Sequence, residues 1–235
     1  MSSVVLHLDE QLRLFLAARH RAATVTAPCD RSSSSVHIVE SVGIPRTEVG
    51  GYVVAGHDVG PGFRPRGGES ISIRPIVRPQ PAPSTPPRFV ADVHLGALVR
   101  RLRLLGVNVT YRNDATDDEL LAESATDDRV LLTKDRGLLC RRALVAGAFV
   151  RGQDVETQLA DVLDRFDVPA APFSRCLRCN GSISRVPKEA IADQLPAGTR
   201  RSYHDFAQCT TCGQVYWRGA HARRLDAAIA AALEV

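Results

Sequence analysis

Between residues 89 and 139 the chain alternates short apolar runs with segments of helical spacing, and this alternation most narrows the folds open to it. Residues 89–92, 107–111 and 129–133 read as strands. Between the first two, Leu95, Leu98, Val99, Leu102 and Leu105 recur on one helical face, and Gly106 ends that helix. Arg100, Arg101 and Arg103 lie mostly off it. Thr116 and Glu119 have capping-box spacing, which predicts a helix from Asp117 that turns Leu120 and Leu121 inward. Residues 138–145 predict another helix and residues 148–150 a last short strand. Asp154 is placed to cap a helix that buries Leu159, Val162, Leu163 and Phe166. Strands alternating with helices in this way predict an α/β fold with a parallel sheet.

Acidic residues stand where these strands end or these helices begin: Asp92, Asp117 with Asp118, and Asp135. Open parallel sheets gather ligands and catalytic groups at the carboxyl ends of their strands. Three carboxylate positions meeting there would suit a hard divalent cation, Mg²⁺ or Mn²⁺, because such ions take oxygen ligands. That is a pattern for metal-dependent phosphodiester hydrolysis. Each acid also has an ordinary structural use. Carboxylates in a first helical turn favour the helix dipole by a few tenths to about 1 kcal/mol, and an Asp before Gly137 suits a turn. Asp92 is harder to explain in this way, since it separates an apolar strand from a helix with a buried face. Asp114 and Asp154 are weaker candidates for further ligands.

Ahead of this region the character changes. Residues 78–88, RPQPAPSTPPR, are proline-rich and predict a semi-rigid spacer and a domain boundary. Residues 1–77 read as a small α/β unit. Residues 4–8 form a strand, and Leu12, Leu14, Phe15 and Leu16 fit strand or helix. After a serine-rich loop over 31–35, a helix capped by Ser35 or a neighbour carries Val36, Val39 and Val42, and stops at Gly43 and Pro45. Residues 52–55 and 71–77 read as strands, the second with Ile71, Ile73 and Val77 inward. A Gly- and Pro-rich turn region separates them. The 235-residue chain carries a net charge of +4, with mostly Arg as the basic residue, a weak pointer to an anionic partner. No apolar run approaches the length of a membrane span, and the N-terminal stretch lacks a positive start followed by an apolar core. The expectation is a cytoplasmic protein with no membrane partner.

Four of the six cysteines form two Cys-x-x-Cys pairs, Cys176 with Cys179 and Cys209 with Cys212. In a reducing compartment such pairs favour a metal over disulfides. Each pair makes a tight turn that points two thiolates at one ion. Two such knuckles complete a tetrahedral Zn²⁺ site, structural rather than catalytic because no position stays open. Gly181 and Gly213 suit the knuckle turns, and the insert over 187–203 must loop out. The competing use is redox dithiols, which belong more to a βαβ context. His204 is a weaker substitute for one cysteine ligand, and Cys29 and Cys140 have no partner spacing. Arg175, Arg178, Arg185, Lys188, Arg200, Arg201, Arg218, Arg223 and Arg224 are interleaved with Tyr203, Phe206, Tyr216 and Trp217. Cations can follow phosphates and aromatics can stack unpaired bases; alternatively the aromatics form the core of a small ribbon. An alanine-rich closing helix is predicted over residues 222–233.

The strings FVADVHLGALVRRLRLLGVNVTYRND, DDELLAES and RVLLTKDRGLL, the two cysteine pairs and YWRGAH together resemble the C-terminal RNase domain of the Mut-seven exonuclease family. The stretch from VHIVESVGIPRTEVGGYVVAGHDV to GGESISIRPIV resembles the ubiquitin-like β-grasp domain that often precedes it. The cysteine pair Cys-Leu-Arg-Cys departs from the proline that many relatives carry after the first cysteine. The resemblance implies a β-grasp domain over 1–77, the linker over 78–88, a PIN-like three-layer RNase domain over 89–170, and a zinc ribbon with a closing helix over 171–235. It implies a metal-dependent ribonuclease in which Asp92, Asp117 (with Asp118 as its rival) and Asp135 hold Mg²⁺ or Mn²⁺. Thr133 and Arg136 would flank the last acid and orient metal or phosphate, and Arg100, Arg101, Arg103 or Lys134 would steer an RNA backbone. A β-grasp strand that runs on into Arg74, Pro75 and Ile76 has no terminal Gly-Gly, so the expectation is an interaction or packing domain rather than sulfur-carrier chemistry. The alternative to catalysis is a non-catalytic RNA-binding or protein-interaction module.

Overall fold

The computed structural model describes residues 2–17, 21–30, 32–217, 219 and 229–230. Its N-terminal unit comprises β1 (Ser2–Leu8), α1 (Glu10–Arg13), β2 (Thr24–Cys29), α2 (Ser35–Ser41), a 3-10 turn over Arg46–Glu48, β3 (Val49–Val54), β4 (His57–Val59) and β5 (Ser70–Pro75). The sheet runs β2-β1-β5-β3-β4, with β1 and β5 parallel at its centre and the other pairs antiparallel. This is the ubiquitin-like β-grasp arrangement. Strand alternation puts Val4, Leu6 and Leu8 of β1 and Ile71 and Ile73 of β5 on one face, where Ile38 and Val39 of α2 cover them. Ser34, rather than Ser35, caps α2 by accepting from the His37 amide. Strand β2 went unforeseen because Pro28 breaks its pattern, and Pro is tolerated there because β2 is an edge strand. Val77, expected inward, lies beyond the end of β5 and is 79 % exposed.

The middle domain comprises β6 (Arg88–Ala91), a 3-10 turn over Val93–Leu95, α3 (Gly96–Leu104), β7 (Asn108–Tyr111), α4 (Asp117–Thr126), β8 (Val130–Thr133), α5 (Arg136–Leu139), β9 (Gly147–Phe149) and α6 (Val155–Phe166). Its four strands are all parallel, in the order β7-β6-β8-β9. Phe89, Ala91, Val130 and Leu132 face α3 and α6 and pack with Leu98, Leu102, Leu159, Val162 and Phe166. Val90 and Leu131 face the other way, onto Leu120 and Leu121 of α4 and Leu138 and Leu139 of α5. Period-two alternation on a sheet covered on both faces thus yields three layers. The capping box at Thr116 and Glu119 is present, and Asp154 caps α6. Gly106 leaves α3 at φ +83°, and a Cβ there would lie 2.0 Å from the Ala171 carbonyl oxygen. The helix expected over 138–145 is instead a four-residue helix over 136–139. The chain must turn early because β9 begins at Gly147, and Leu144 is buried in that turn.

Strands β10 (Ile183–Val186), β11 (Phe206–Cys209) and β12 (Val215–Trp217) form an antiparallel ribbon in that order. Its insert is ordered as a 3-10 helix, Lys188–Gln194, and α7 (Ala197–Ser202). Ile191 and Leu195 from this insert pack on Phe206. The closing helix expected over 222–233 lies outside the described residues except for Ile229 and Ala230. These two are helical, and Ile229 is buried against the three-layer core. Among the described residues, no helix is long and apolar enough to cross a membrane.

The proline-rich segment is not a free spacer. Arg78 pairs with Asp161 and Asp164 of α6, each at 2.7 Å, and Gln80 exchanges hydrogen bonds with Arg165. Arg165 also reaches across to the β-grasp domain. Its guanidinium meets the Glu48 carboxylate at 2.9 and 3.0 Å, with both side chains only 2 % exposed, and donates to the Thr47 carbonyl. The Phe149 amide donates to Glu48 as well, at 2.9 Å, and Phe149 meets Phe15 edge-on with ring centroids 5.1 Å apart. Removing one partner of a buried ion pair typically costs about 3–5 kcal/mol. The two domains are therefore clamped together.

Candidate active site and metal centre

In the order β7-β6-β8-β9 the chain leaves β6 for one neighbour and returns for the other, so the switch point lies between β6 and β8. Ligands of open parallel sheets bind at the carboxyl edge beside such a point. Asp92 follows β6 there and Thr133–Asp135 close β8. Asp92 is 6 % exposed and forms no ion pair with a described Lys, Arg or His. Thr133 Oγ1 donates to Asp92 Oδ2 at 2.6 Å and accepts from the Asp135 amide at 2.9 Å. One fully buried hydroxyl therefore ties the first acid to the backbone of the third.

The other acids reach the same edge by topology, since the helices after β7 and β9 also start there. Asp117 is exposed in the first turn of α4, and no described side chain pairs with it. Asp118 pairs with Arg141 at 2.6 Å. Asp135 is exposed, and its Oδ1 caps α5 by accepting from the Gly137 and Leu138 amides at 2.7 and 3.3 Å. Asp154 spends its carboxylate on capping α6, and the Thr157 amide and hydroxyl hold that carboxyl below its ordinary range. Asp114 is exposed. Among the described residues, the four cysteines are the one group of three or more His, Cys, Asp and Glu placed to hold a metal ion. Asp92, Asp117 and Asp135 share an edge without closing into such a group. Asp92 and Asp135 each have a local donor, and like charges repel.

The cations expected to steer phosphate divide sharply. Arg103 is 4 % exposed and cannot meet a phosphate in solvent. It falls on the buried side of α3, where Nε donates to the Val109 carbonyl and Nη1 to those of Leu177 and Arg178. Burial lowers its pKa, while the neighbouring Cys176 and Cys179 sulfurs act in the opposite sense. It braces the ribbon against α3 and β7. Arg101 pairs with Glu156 at 2.6 Å, and Lys134 Nζ donates to the Gly152 carbonyl at 2.7 Å. Arg136 Nη1 donates to the Phe15 carbonyl at 2.7 Å, so it docks the acid turn on the β-grasp domain. Arg100 is exposed and has no described partner.

The cysteine site is assembled. The four Sγ atoms lie within 4.8 Å of one another, with Cys176 and Cys212 at 3.7 Å and Cys179 and Cys209 at 3.5 Å. Tetrahedral sulfurs at a Zn–S bond of about 2.3 Å are about 3.8 Å apart, so the cage fits zinc. The amides of Thr211 and Cys212 point at Cys209 Sγ at 3.4 and 3.5 Å, the usual knuckle pattern. Burial raises the Cys176 thiol, but the Tyr216 hydroxyl 3.1 Å away and knuckle amides outweigh it and bring it down to about 6. Asn180 takes the left-handed position at φ +66° in the first knuckle, and Gly213 takes it at φ +72° in the second. Gly181 serves close approach instead, since a Cβ there would lie 2.9 Å from Cys209 Sγ. Cys29 and Cys140 stand apart as free thiols. Of the ribbon aromatics, Phe206 is buried, Tyr203 packs against the insert, and Tyr216 serves Cys176 and the Leu177 amide. Trp217 is 39 % exposed.

Two bracing residues escaped the sequence. Asn180 accepts from the Val109 amide at 3.1 Å and donates to Asn108 Oδ1 at 2.8 Å, locking the knuckle to β7. An Asn directly after Cys-x-x-Cys, where the left-handed conformation is needed, was the available signal. Arg103 carried none, being one of three arginines on a helix.

A family model for the Mut7-C RNAse domain matches residues 87–229, and one for the Mut7-C ubiquitin domain matches residues 1–81. No curated protein and no solved structure matches the chain. With a match over more than half its length, and with the three-layer domain and cysteine cage inside that match, the chain belongs to the Mut7-C RNase domain family, preceded by a Mut7-C ubiquitin-like domain.

Proposed function

We propose that this protein is a metal-dependent ribonuclease whose centre lies at the carboxyl ends of β6 and β8. The observation that carries the proposal is the Asp92 carboxylate, buried without a basic partner and held by Thr133 alone among the described side chains. A buried carboxylate with no counter-charge is costly, and a cation is its natural partner. The oxygen donors of Asp92, Asp117 and Asp135 suit Mg²⁺ or Mn²⁺. Asp117 is the better candidate than Asp118, whose carboxylate is engaged by Arg141. Held by these carboxylates, such an ion would make water a stronger nucleophile and offset charge on the phosphate and leaving oxygen. Thr133 orients Asp92 and fixes the turn that carries Asp135. Arg100 attracts the RNA backbone, and the cysteine cage holds a structural zinc. The β-grasp domain keeps its β2 and β4 edges available to a protein partner.

The test is cleavage of structured and single-stranded RNA with Mg²⁺ or Mn²⁺, wild type against Asp92→Asn, with zinc content measured on both. Metal-stimulated cleavage should vanish in the variant while zinc is retained. If neither protein cuts any RNA, yet both bind it tightly, the domain is a binding module.

A further inference from the structure

A cleft of about 470 Å³ separates α3 and the end of β7 from the ribbon. Pockets of about 300–1,000 Å³ hold small ligands, so this one has room for a single nucleotide unit. Its lining includes three arginines, two tyrosines and no carboxylate. Arg103 in this lining is committed to the carbonyls of Val109, Leu177 and Arg178. Arg100 and Arg178 are exposed, and neither guanidinium has a described partner. Tyr111 and Tyr216 contribute aromatic surface, with Val99 and Leu177 beside them. Gly96 keeps this surface accessible: a Cβ there would sit 2.9 Å from the Tyr111 hydroxyl and 3.2 Å from its ring.

The cleft adjoins the acid edge. Tyr111 is the last residue of β7, and its hydroxyl donates to the carbonyl of Val93, the residue after Asp92, at 2.9 Å. Single-stranded RNA is recognised by stacking unpaired bases on aromatic rings while cations follow the phosphates. The geometry points to this cleft as the binding site for one unpaired nucleotide of an RNA strand that continues across the Asp92 edge. Arg100 and Arg178 hold its flanking phosphates, and Tyr111 supports its base. The cleft exists only where ribbon and three-layer domain meet, which gives the ribbon a role in binding beyond its fold. The identity of the strand rests on the ribonuclease proposal; the site itself rests on the cleft.

The test uses the full zinc-loaded chain carrying Asp92→Asn, titrated with a fluorescein-labelled single-stranded oligoribonucleotide at fixed salt. Arg178→Glu and Arg100→Glu should each weaken binding at least about tenfold. Arg64→Glu, the same charge change at an exposed site of the β-grasp domain, should not. Photo-crosslinking a thiouridine-substituted RNA to the Asp92→Asn protein should place the adduct on Tyr111 or on residues 177–178, whatever the folding of the arginine variants. Adducts confined elsewhere, arginine variants that bind like Arg64→Glu, or no RNA binding at all would overturn the site. Wild-type cleavage is scored separately. Cutting without cleft adducts removes the cleft and leaves the ribonuclease, whereas cleft adducts without cutting do the reverse.

Discussion

The cysteine cage and the acid edge are two candidate metal sites built on opposite principles. In the cage, ligands three residues apart are brought together by two local turns, and amides and a tyrosine hydroxyl already point at the sulfurs. At the edge, the candidate ligands follow three different strands. Asp92 is tied to Thr133, Asp135 caps its own helix, and Asp117 faces solvent. Two backbone turns hold the four sulfurs together in the cage. Carboxylates repel one another and readily find other donors. A local motif can therefore fix a cage outright, whereas a topological site fixes only which edge the ligands share.

The sharpest test of this contrast is Cys209→Ser. Structural zinc contributes about 10–16 kcal/mol to the folding of zinc-finger peptides, so losing one ligand should collapse the ribbon. Zinc should fall well below the wild-type content, and residues 176–217 should become protease-sensitive. The clamp between Glu48 and Arg165 should keep the first two domains resistant. If the variant kept its zinc and its protease resistance, the cage would not be what organises the ribbon.

A smaller effect is expected from Thr133→Val, which keeps the shape but removes the donor to Asp92 and the acceptor for the Asp135 amide. Loss of a group that orients a metal ligand typically costs about 10–100-fold in metal affinity or activity. The Mn²⁺ concentration needed for half-maximal cleavage should rise by that order, Thr133→Ser should restore it, and zinc content should not change. A wild-type Mn²⁺ profile in Thr133→Val would mean that Asp92 and Asp135 do not work as a unit.

The same contrast explains what the sequence disclosed. Helix starts at Thr116 and Asp154 and the two cysteine turns depend on residues a few positions apart, and all were legible. The parallel sheet was legible too, because its strands are buried on both faces. Arg165 and Glu48 were not, since they lie 117 residues apart and meet only after the domains dock. Nor was the fate of the proline-rich segment, whose composition describes a free chain but not one held by Asp161 and Asp164. Arg103 shows the limit most clearly. Three arginines on α3 look alike in sequence, yet one is solvated, one pairs with Glu156 and one is buried under the ribbon.

The mildest test concerns the helix start that presents Asp117. The Arg112 side chain, then the Thr116 amide and hydroxyl, hold the Glu119 carboxyl down at about 2, against an ordinary value of 4.5. Because the folded state favours the ionised form, this contribution is present above about pH 4.5 and is lost as pH falls towards 2. The protection of the Glu119, Leu120 and Leu121 amides against exchange, taken relative to the intrinsic rate at each pH, should therefore fall across that window. Acid also protonates thiolates and releases zinc, so the comparison must be local and made against Glu119→Gln at each pH. The variant should show lower protection at neutral pH and little further loss of it on acidification. If wild type and variant ran in parallel instead, the capping box would not control the helix end, and the position of Asp117 would have to be set by the packing of α4 on the sheet.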